Sequence, residues 1–145
     1  MNFEELNSNW AKDCKIDETN LTRESSRIPE LHQKYFGIYV TEGLKLRKLK
    51  IEYKELEKAK TEYYNGSMDQ EELKERGWKP NPLKVLRNDI QKYIEADNDV
   101  IELSLKIAYR ESIVKYLEDI IKQINTRNFI IKNMIDFEKF RSGGY

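Results

Sequence analysis

Apolar residues recur at helical spacing almost from the first residue of this chain. Phe3, Leu6 and Trp10 follow one another at steps of three and four, which predicts a short amphipathic helix from Phe3 to about Cys14. The stretch IDETN then offers Asp17 as the N-cap of a second helix. Pro29 falls inside that second pattern. Proline is tolerated in a first turn and disfavoured in a helix interior, so a kink or restart is expected there, with Ser25 or Ser26 as its cap. Beyond it Tyr35, Tyr39, Glu42, Leu46, Leu49, Tyr53, Leu56, Lys60 and Tyr63 alternate steps of four and three, the heptad rhythm of a helix packed on other helices. Asn65-Gly66 supplies a C-cap. A helix from Pro29 to Tyr64 spans about 50 Å at 1.5 Å per residue, more than the diameter of a compact domain of this size.

Residues 66–82, GSMDQEELKERGWKPNP, are predicted to form a loop with a short acidic helix that reverses the chain. Pro82 opens the last long helical pattern. Leu86, Ile90, Tyr93, Asp97, Val100, Ser104 and Ile107 make one stripe, broken by the polar run Asp97 to Asp99, and Ile113, Leu117, Ile120 and Ile124 make a purely aliphatic one. Thr126-Arg127-Asn128 marks an expected joint. FIIKNMIDFEKF, with Phe129, Ile131, Met134 and Phe137, continues as an apolar helix, and SGGY is expected to fray. The expected architecture is all-α, long helices behind a short N-terminal one. It is read as a single helical domain over 1–145, with N-terminal helices in 1–64, a loop in 66–82 and helices for self-assembly in 83–142. Two helices of this length cover each other only in part, and the band from Ile113 to Phe140 is too wide for one partner helix. Such surplus apolar surface is usually buried against other copies of the chain, so a homo-oligomer is expected.

Composition agrees with long helices: of 145 residues, 39% are hydrophobic and 36% charged, with only six glycines and three prolines. Regularly recurring Leu, Ile, Tyr and Phe argue against disorder. The opening MNFEELNSNW carries acids where a signal peptide needs bases, and no run approaches the roughly eighteen apolar residues of a membrane span. These features predict a soluble protein kept inside a cell, and the lone Cys14 fits a reducing compartment. Enzyme chemistry finds no foothold. A Gly-rich phosphate loop is lacking, and His32 is the only histidine, far from the only cysteine. Carboxylates alternate with lysines at helix spacing as in ordinary ion pairing. Neither catalysis nor a cofactor or metal is expected.

Charge is distributed less evenly than the neutral total suggests. Between Lys45 and Lys60 seven bases face three acids, although the chain as a whole has formal net charge zero. Arg47, Lys50, Lys54 and Lys58 lie on one helix face, beside the stripe through Leu46, Leu49, Tyr53 and Leu56. The helix can therefore pack and still present a basic ridge, for which nucleic acid is the obvious polyanion. Tyr63 and Tyr64 stand at its end, where a ring could stack on an unpaired base. Tyr63, like Tyr53, belongs to the packed stripe, which leaves Tyr64 as the freer platform. Two other readings compete. The acidic run Glu95–Glu102, with four acids and no base, could lie against the basic helix and neutralise it, leaving a purely structural or interaction protein. A basic helix could also bind an anionic membrane surface, though the ridge lacks flanking bulky apolar residues on an exposed face.

The stretch Lys58 to Gly66, KAKTEYYNG, resembles the segment Lys-Ala-Arg-Leu-Asp-Tyr-Tyr-Ser-Gly of the UvsY recombination mediators of T-even-like bacteriophages. Lys58, Ala59, Tyr63, Tyr64 and Gly66 match, Glu62 keeps the acid, Lys60 replaces an arginine, and Thr61 stands where the family has leucine. NFEELNSNWAKDCKID, LKVLRNDIQK and FIIKNMIDFEKF are similar to further family stretches, so the likeness covers nearly the whole length. The loop from Gly66 to Pro82 diverges, and Pro29 has no counterpart. The resemblance implies a ring-like homo-oligomer that binds single-stranded DNA. It implies further that the ring loads a RecA-like phage recombinase onto strands coated by a phage single-stranded DNA-binding protein, in the cytoplasm of the infected bacterial host, with no membrane partner. Carried over by residue, it implies DNA contact at Lys58 and Lys60. Assembly falls on the band holding Ile113, Leu117, Ile120, Ile124, Phe129, Ile131, Met134 and Phe137.

Overall fold

The computed structural model of the chain describes residues 1–81 and 84–143. Five helices hold most of them: α1 (Phe3–Asp13), α2 (Leu21–Asn65), α3 (Gln70–Arg76), α4 (Ile90–Glu95) and α5 (Asn98–Arg141), with no strand among the described residues. The all-α class with a short first helix is therefore as expected. The predicted helix start at Pro82 and the last two residues of the SGGY tail lie outside the described residues.

Local chemistry explains where each helix begins. The Asn2 side chain accepts from Glu5 N at 2.8 Å while Glu5 receives the Asn2 N–H, a reciprocal cap on α1. Asp17 does not cap α2. Its carboxylate is occupied in a tight turn by the N–H and hydroxyl of Thr19, and Asn20 caps instead, accepting from Arg23 N at 3.1 Å. Nor does Pro29 restart the helix, which runs through it. A proline there leaves the Ser25 carbonyl without its helical donor, but Ser25, Ser26 and Pro29 are all exposed, so water can serve that oxygen.

α2 ends in a Schellman motif: Gly66, at φ +80°, donates to Tyr63 O at 3.3 Å, and Ser67 donates to Glu62 O at 3.0 Å. A Cβ on Gly66 would also come within 3.2 Å of Lys84 Cγ and Cε. Gly66→Ala is therefore expected to cost about 1–2 kcal/mol, the penalty of a left-handed L-residue, measurable as a shift in the denaturant midpoint. Residues 84–89 are not helical, so the last long helix starts later than expected. It starts because Asp97 caps it, its Oδ1 accepting from Asp99 N at 2.9 Å and Val100 N at 3.2 Å. No joint forms at Thr126-Arg127-Asn128, which lie inside α5.

The chain divides into two compact units, Lys45–Arg110 and the remainder, Met1–Leu44 with the chain from Glu111 onward. In the latter, Leu6 of α1, Leu31 and Tyr35 of α2, and Ile113, Leu117, Ile120 and Ile124 of α5 form one buried cluster, with Trp10, Ile28, Ile38, Tyr39, Tyr116 and Ile121 packed around it. This corrects the assignment of Ile113, Leu117, Ile120 and Ile124 to self-assembly. α1 and α2 both lie against the aliphatic stripe, so the chain's own helices cover it, and Ile131, one heptad further along, is also buried. Arg127 pins the connection between α1 and α2: its guanidinium donates to Cys14 O at 3.2 Å, Lys15 O at 3.0 Å and the buried Glu24 carboxylate at 2.8 Å. Burial raises the Glu24 pKa, but hydrogen bonds from Arg127 and Arg27 outweigh it and hold the carboxyl below its ordinary value.

Candidate nucleic-acid interface

All four bases of the expected ridge lie in the unit Lys45–Arg110. α2 carries Arg47, Lys50, Lys54 and Lys58 exposed, while Leu46, Leu49, Tyr53 and Leu56 on the adjoining face are half-buried. That division follows from the heptad: the apolar stripe occupies one side of the helix, and the bases flank it at the same 3.6-residue period.

Lys60 does not stand on this ridge. It is 4% exposed, with Nζ 3.1 Å from Asp97 Oδ2, 2.9 Å from Asp99 Oδ2 and 3.8 Å from the centroid of the Trp78 ring. Its ammonium is enclosed between two carboxylates and an aromatic face, which is how a buried cation is tolerated. The acidic run does therefore reach the basic helix, and both Asp97 and Asp99 direct their charge at Lys60. Tyr64 is also less free than expected. Its hydroxyl donates to Asp97 Oδ2 at 2.7 Å, and its ring sits 5.1 Å from that of Tyr63 and 5.6 Å from that of Tyr93. Tyr63 in turn donates to Lys79 O at 2.6 Å and meets Trp78 edge-on at 5.4 Å.

One carboxylate ties this cluster together. Asp97 gives Oδ1 to the N-terminus of α5 and Oδ2 to Lys60 and Tyr64 of α2. Burial pushes its pKa up, but hydrogen bonds from Tyr64 and Lys60, with the Val100 N–H, prevail and hold it below the ordinary carboxylate value. Burial first, and then the hydrogen bond to Asp97 and its charge, raise the Tyr64 phenol well above its usual range.

Spacing reads the segment that follows the loop as part of a packed helical stripe, not as a site. Val85 N donates to Tyr64 O at 3.1 Å and Lys84 lies against Gly66, so this segment docks on the end of α2. Lys84, Arg87 and Lys92 are exposed, Leu86 is 75% exposed and Tyr93 47% exposed. Leu86 therefore does not belong to a packed stripe. The available signal was three bases leading to a tyrosine, with one acid among them, within LKVLRNDIQKY.

In the other unit, Phe129 and Phe137 are each 62% exposed, and Met134 is half-buried in a groove it lines with Leu21, Ile130 and Phe137. Among the described residues no cluster of three or more His, Cys, Asp or Glu could hold a metal, and no helix is long and apolar enough to cross a membrane.

The ridge expected from helix spacing is exposed beside a half-buried apolar stripe, whereas of the two bases singled out by the KAKTEYYNG resemblance Lys58 is exposed and Lys60 is buried. The family model described as "Recombination, repair and ssDNA binding protein UvsY" matches residues 9–144. The chain belongs to the UvsY family. Its fold is that of solved UvsY structures. The bacteriophage T4 recombination mediator protein UvsY in lattice type II superposes with a TM-score of 0.85 at 22% identity, covering 98% of each chain. The same T4 protein in lattice type IV gives 0.81 at 23% identity, covering 97% of this chain and 99% of that one. Lattice type I gives 0.82 at 21%, covering 94% and 98%. No curated protein matches the chain in sequence. At these identities the likeness to the T4 UvsY structures is one of fold, and the family match is what carries the relationship.

Proposed function

We propose that this chain is a recombination mediator that binds single-stranded DNA along Arg47, Lys50, Lys54 and Lys58. In this reading it loads a RecA-like recombinase onto strands coated by a single-stranded DNA-binding protein, without catalysis of its own. The observation that carries the reading is the exposed basic ridge on α2 in a chain of the UvsY family. Ring-like self-association repeats the ridge, so that later contacts with one strand become intramolecular and avidity rises by roughly 10² to 10⁴ without a new kind of contact. The exposed Phe129, Ile130, Phe137 and Phe140, with the half-buried Met134, are the apolar residues of the C-terminal band left to make that assembly. The ring would constrain the strand, loosen its coating protein and present the strand to recombinase in the cytoplasm of an infected bacterium. A structural role for the basic helix is favoured at Lys60 alone, where Asp97 and Asp99 already hold the charge.

Four ridge bases at about −0.7 per phosphate give an expected slope of log K on log salt near −3 per subunit. Replacing Arg47, Lys54 and Lys58 by alanine should flatten that slope by about 2 and leave the helix intact, because alanine is the best helix former. The same variant should fail to support recombinase filaments on coated strands. An unchanged slope would remove the ridge from the binding site.

A further inference from the structure

We infer that the segment from Lys84 to Tyr93 is a second contact for single-stranded DNA, in which Tyr93 stacks on an unpaired base while Lys84, Arg87 and Lys92 meet the flanking phosphates. This rests on the reading proposed above and adds to it a site that recognises bases.

Continuity with the ridge comes first. The Val85 N–H bonds the Tyr64 carbonyl at 3.1 Å, and Lys84 lies over Gly66, the residue at which α2 stops. A strand following Arg47 to Lys58 toward the C-terminus of α2 thus meets Lys84 where the helix can supply no further base. Charge points the same way. Lys84, Arg87 and Lys92 face a single acid, Asp89, whose contact with Lys92 is a loose 4.0 Å between exposed groups.

Tyr93 supplies what the ridge lacks. The residue is 47% exposed and its ring meets that of Tyr64 at 5.6 Å, tilted by 47°, with the Tyr64 hydroxyl fixed on Asp97. The neighbouring Ile94 is buried and anchors α4. A partly exposed aromatic ring held by a neighbouring ring loses little freedom when a base settles on it. Leu86, 75% exposed, offers an apolar edge in the same segment. Tyr64, held by Asp97, positions the platform.

The test uses the full chain and two probes of equal length, a thymidine oligonucleotide and its abasic analogue, with binding followed by calorimetry. The unaltered protein should bind the base-bearing strand roughly tenfold more tightly. Tyr93→Leu should bind both strands alike, and Tyr93→Phe should keep the preference. Lys84→Ala with Arg87→Ala should weaken both strands and flatten the salt slope by about 1.4. All of these side chains are exposed, so circular dichroism of each variant should match that of the unaltered chain. A Tyr93→Leu protein that still prefers the base-bearing strand would overturn the stacking site while leaving the ridge standing. Unchanged binding of both strands together with failed recombinase loading would also overturn it, and would give the surface to a protein partner. Absence of any binding by the unaltered protein would remove both readings.

Discussion

Leu117→Asp combined with Ile124→Asp is expected to unfold the unit formed by Met1–Leu44 and the chain from Glu111 onward, and not to release folded subunits from an assembly. Both side chains are fully buried in the cluster with Leu6, Leu31 and Tyr35, so each aspartate would be placed in an apolar core with no partner. Leu117→Ala alone should cost about 2–5 kcal/mol, a large part of the 5–15 kcal/mol that holds a typical domain. Phe129→Asp with Phe137→Asp is the contrasting pair. Those rings are mostly exposed, so that variant should keep its helix content while its mass in sedimentation falls. Circular dichroism and sedimentation on both pairs separate the core from the assembly surface. A helical, smaller species from the Leu117 and Ile124 pair would refute the placement of that stripe in the core.

Lys60→Met should also be severe. Removing one member of a buried ion pair leaves the other charge uncompensated, which commonly costs 3–5 kcal/mol. The lower end is expected, because Asp97 keeps the Tyr64 hydroxyl and two backbone N–H groups, and Asp99 is half exposed. The pH dependence follows from the sign of the Asp97 shift. Its folded pKa is depressed, so its contribution is present above the unfolded carboxylate value of about 4 and disappears as pH falls through the folded value. Without Lys60 that depression shrinks, so less stability is lost on acidification and the loss is complete at a higher pH. Denaturant midpoints between pH 2 and 7 for the two proteins should therefore converge toward the acid end. DNA binding gives an independent check: as a positioning residue Lys60 leaves the salt slope unchanged, whereas a drop of about 0.7 would make it a phosphate contact.

Much of this was legible from spacing alone. Every position of the stripe from Tyr35 to Tyr63 is buried or half-buried, because a heptad count reads which side of a helix is covered without needing to know what covers it. The same count held Lys60, and its register was the better guide to that residue than its charge. The polar run Asp97 to Asp99 reads as an interruption in a stripe, yet its first carboxylate is what begins α5, since a side chain that breaks one helix can cap the next. The aliphatic band on α5 exceeds what one partner helix can cover, but two partners from the same chain meet it, α1 with Leu6 and α2 with Leu31 and Tyr35. Sequence spacing counts apolar surface and does not say whose helix lies on it. Spacing puts Leu86 and Tyr93 on a packed stripe, but they are exposed because the chain before α4 docks on the end of α2 as a partly non-helical segment that no periodicity describes.

The chain has two tryptophans, and they fall one to each unit: Trp10 lies edge-on to Tyr35 at 5.2 Å, and Trp78 lies beneath the Lys60 ammonium. Each indole therefore reports by its own fluorescence on the unit that holds it. In Trp10→Phe only the Lys45–Arg110 unit emits, and in Trp78→Phe only the other does, so every melting midpoint has an address. Since α2 and α5 each run through both units, coincident curves from the two proteins would mean that these shared helices carry the transition from one unit into the other.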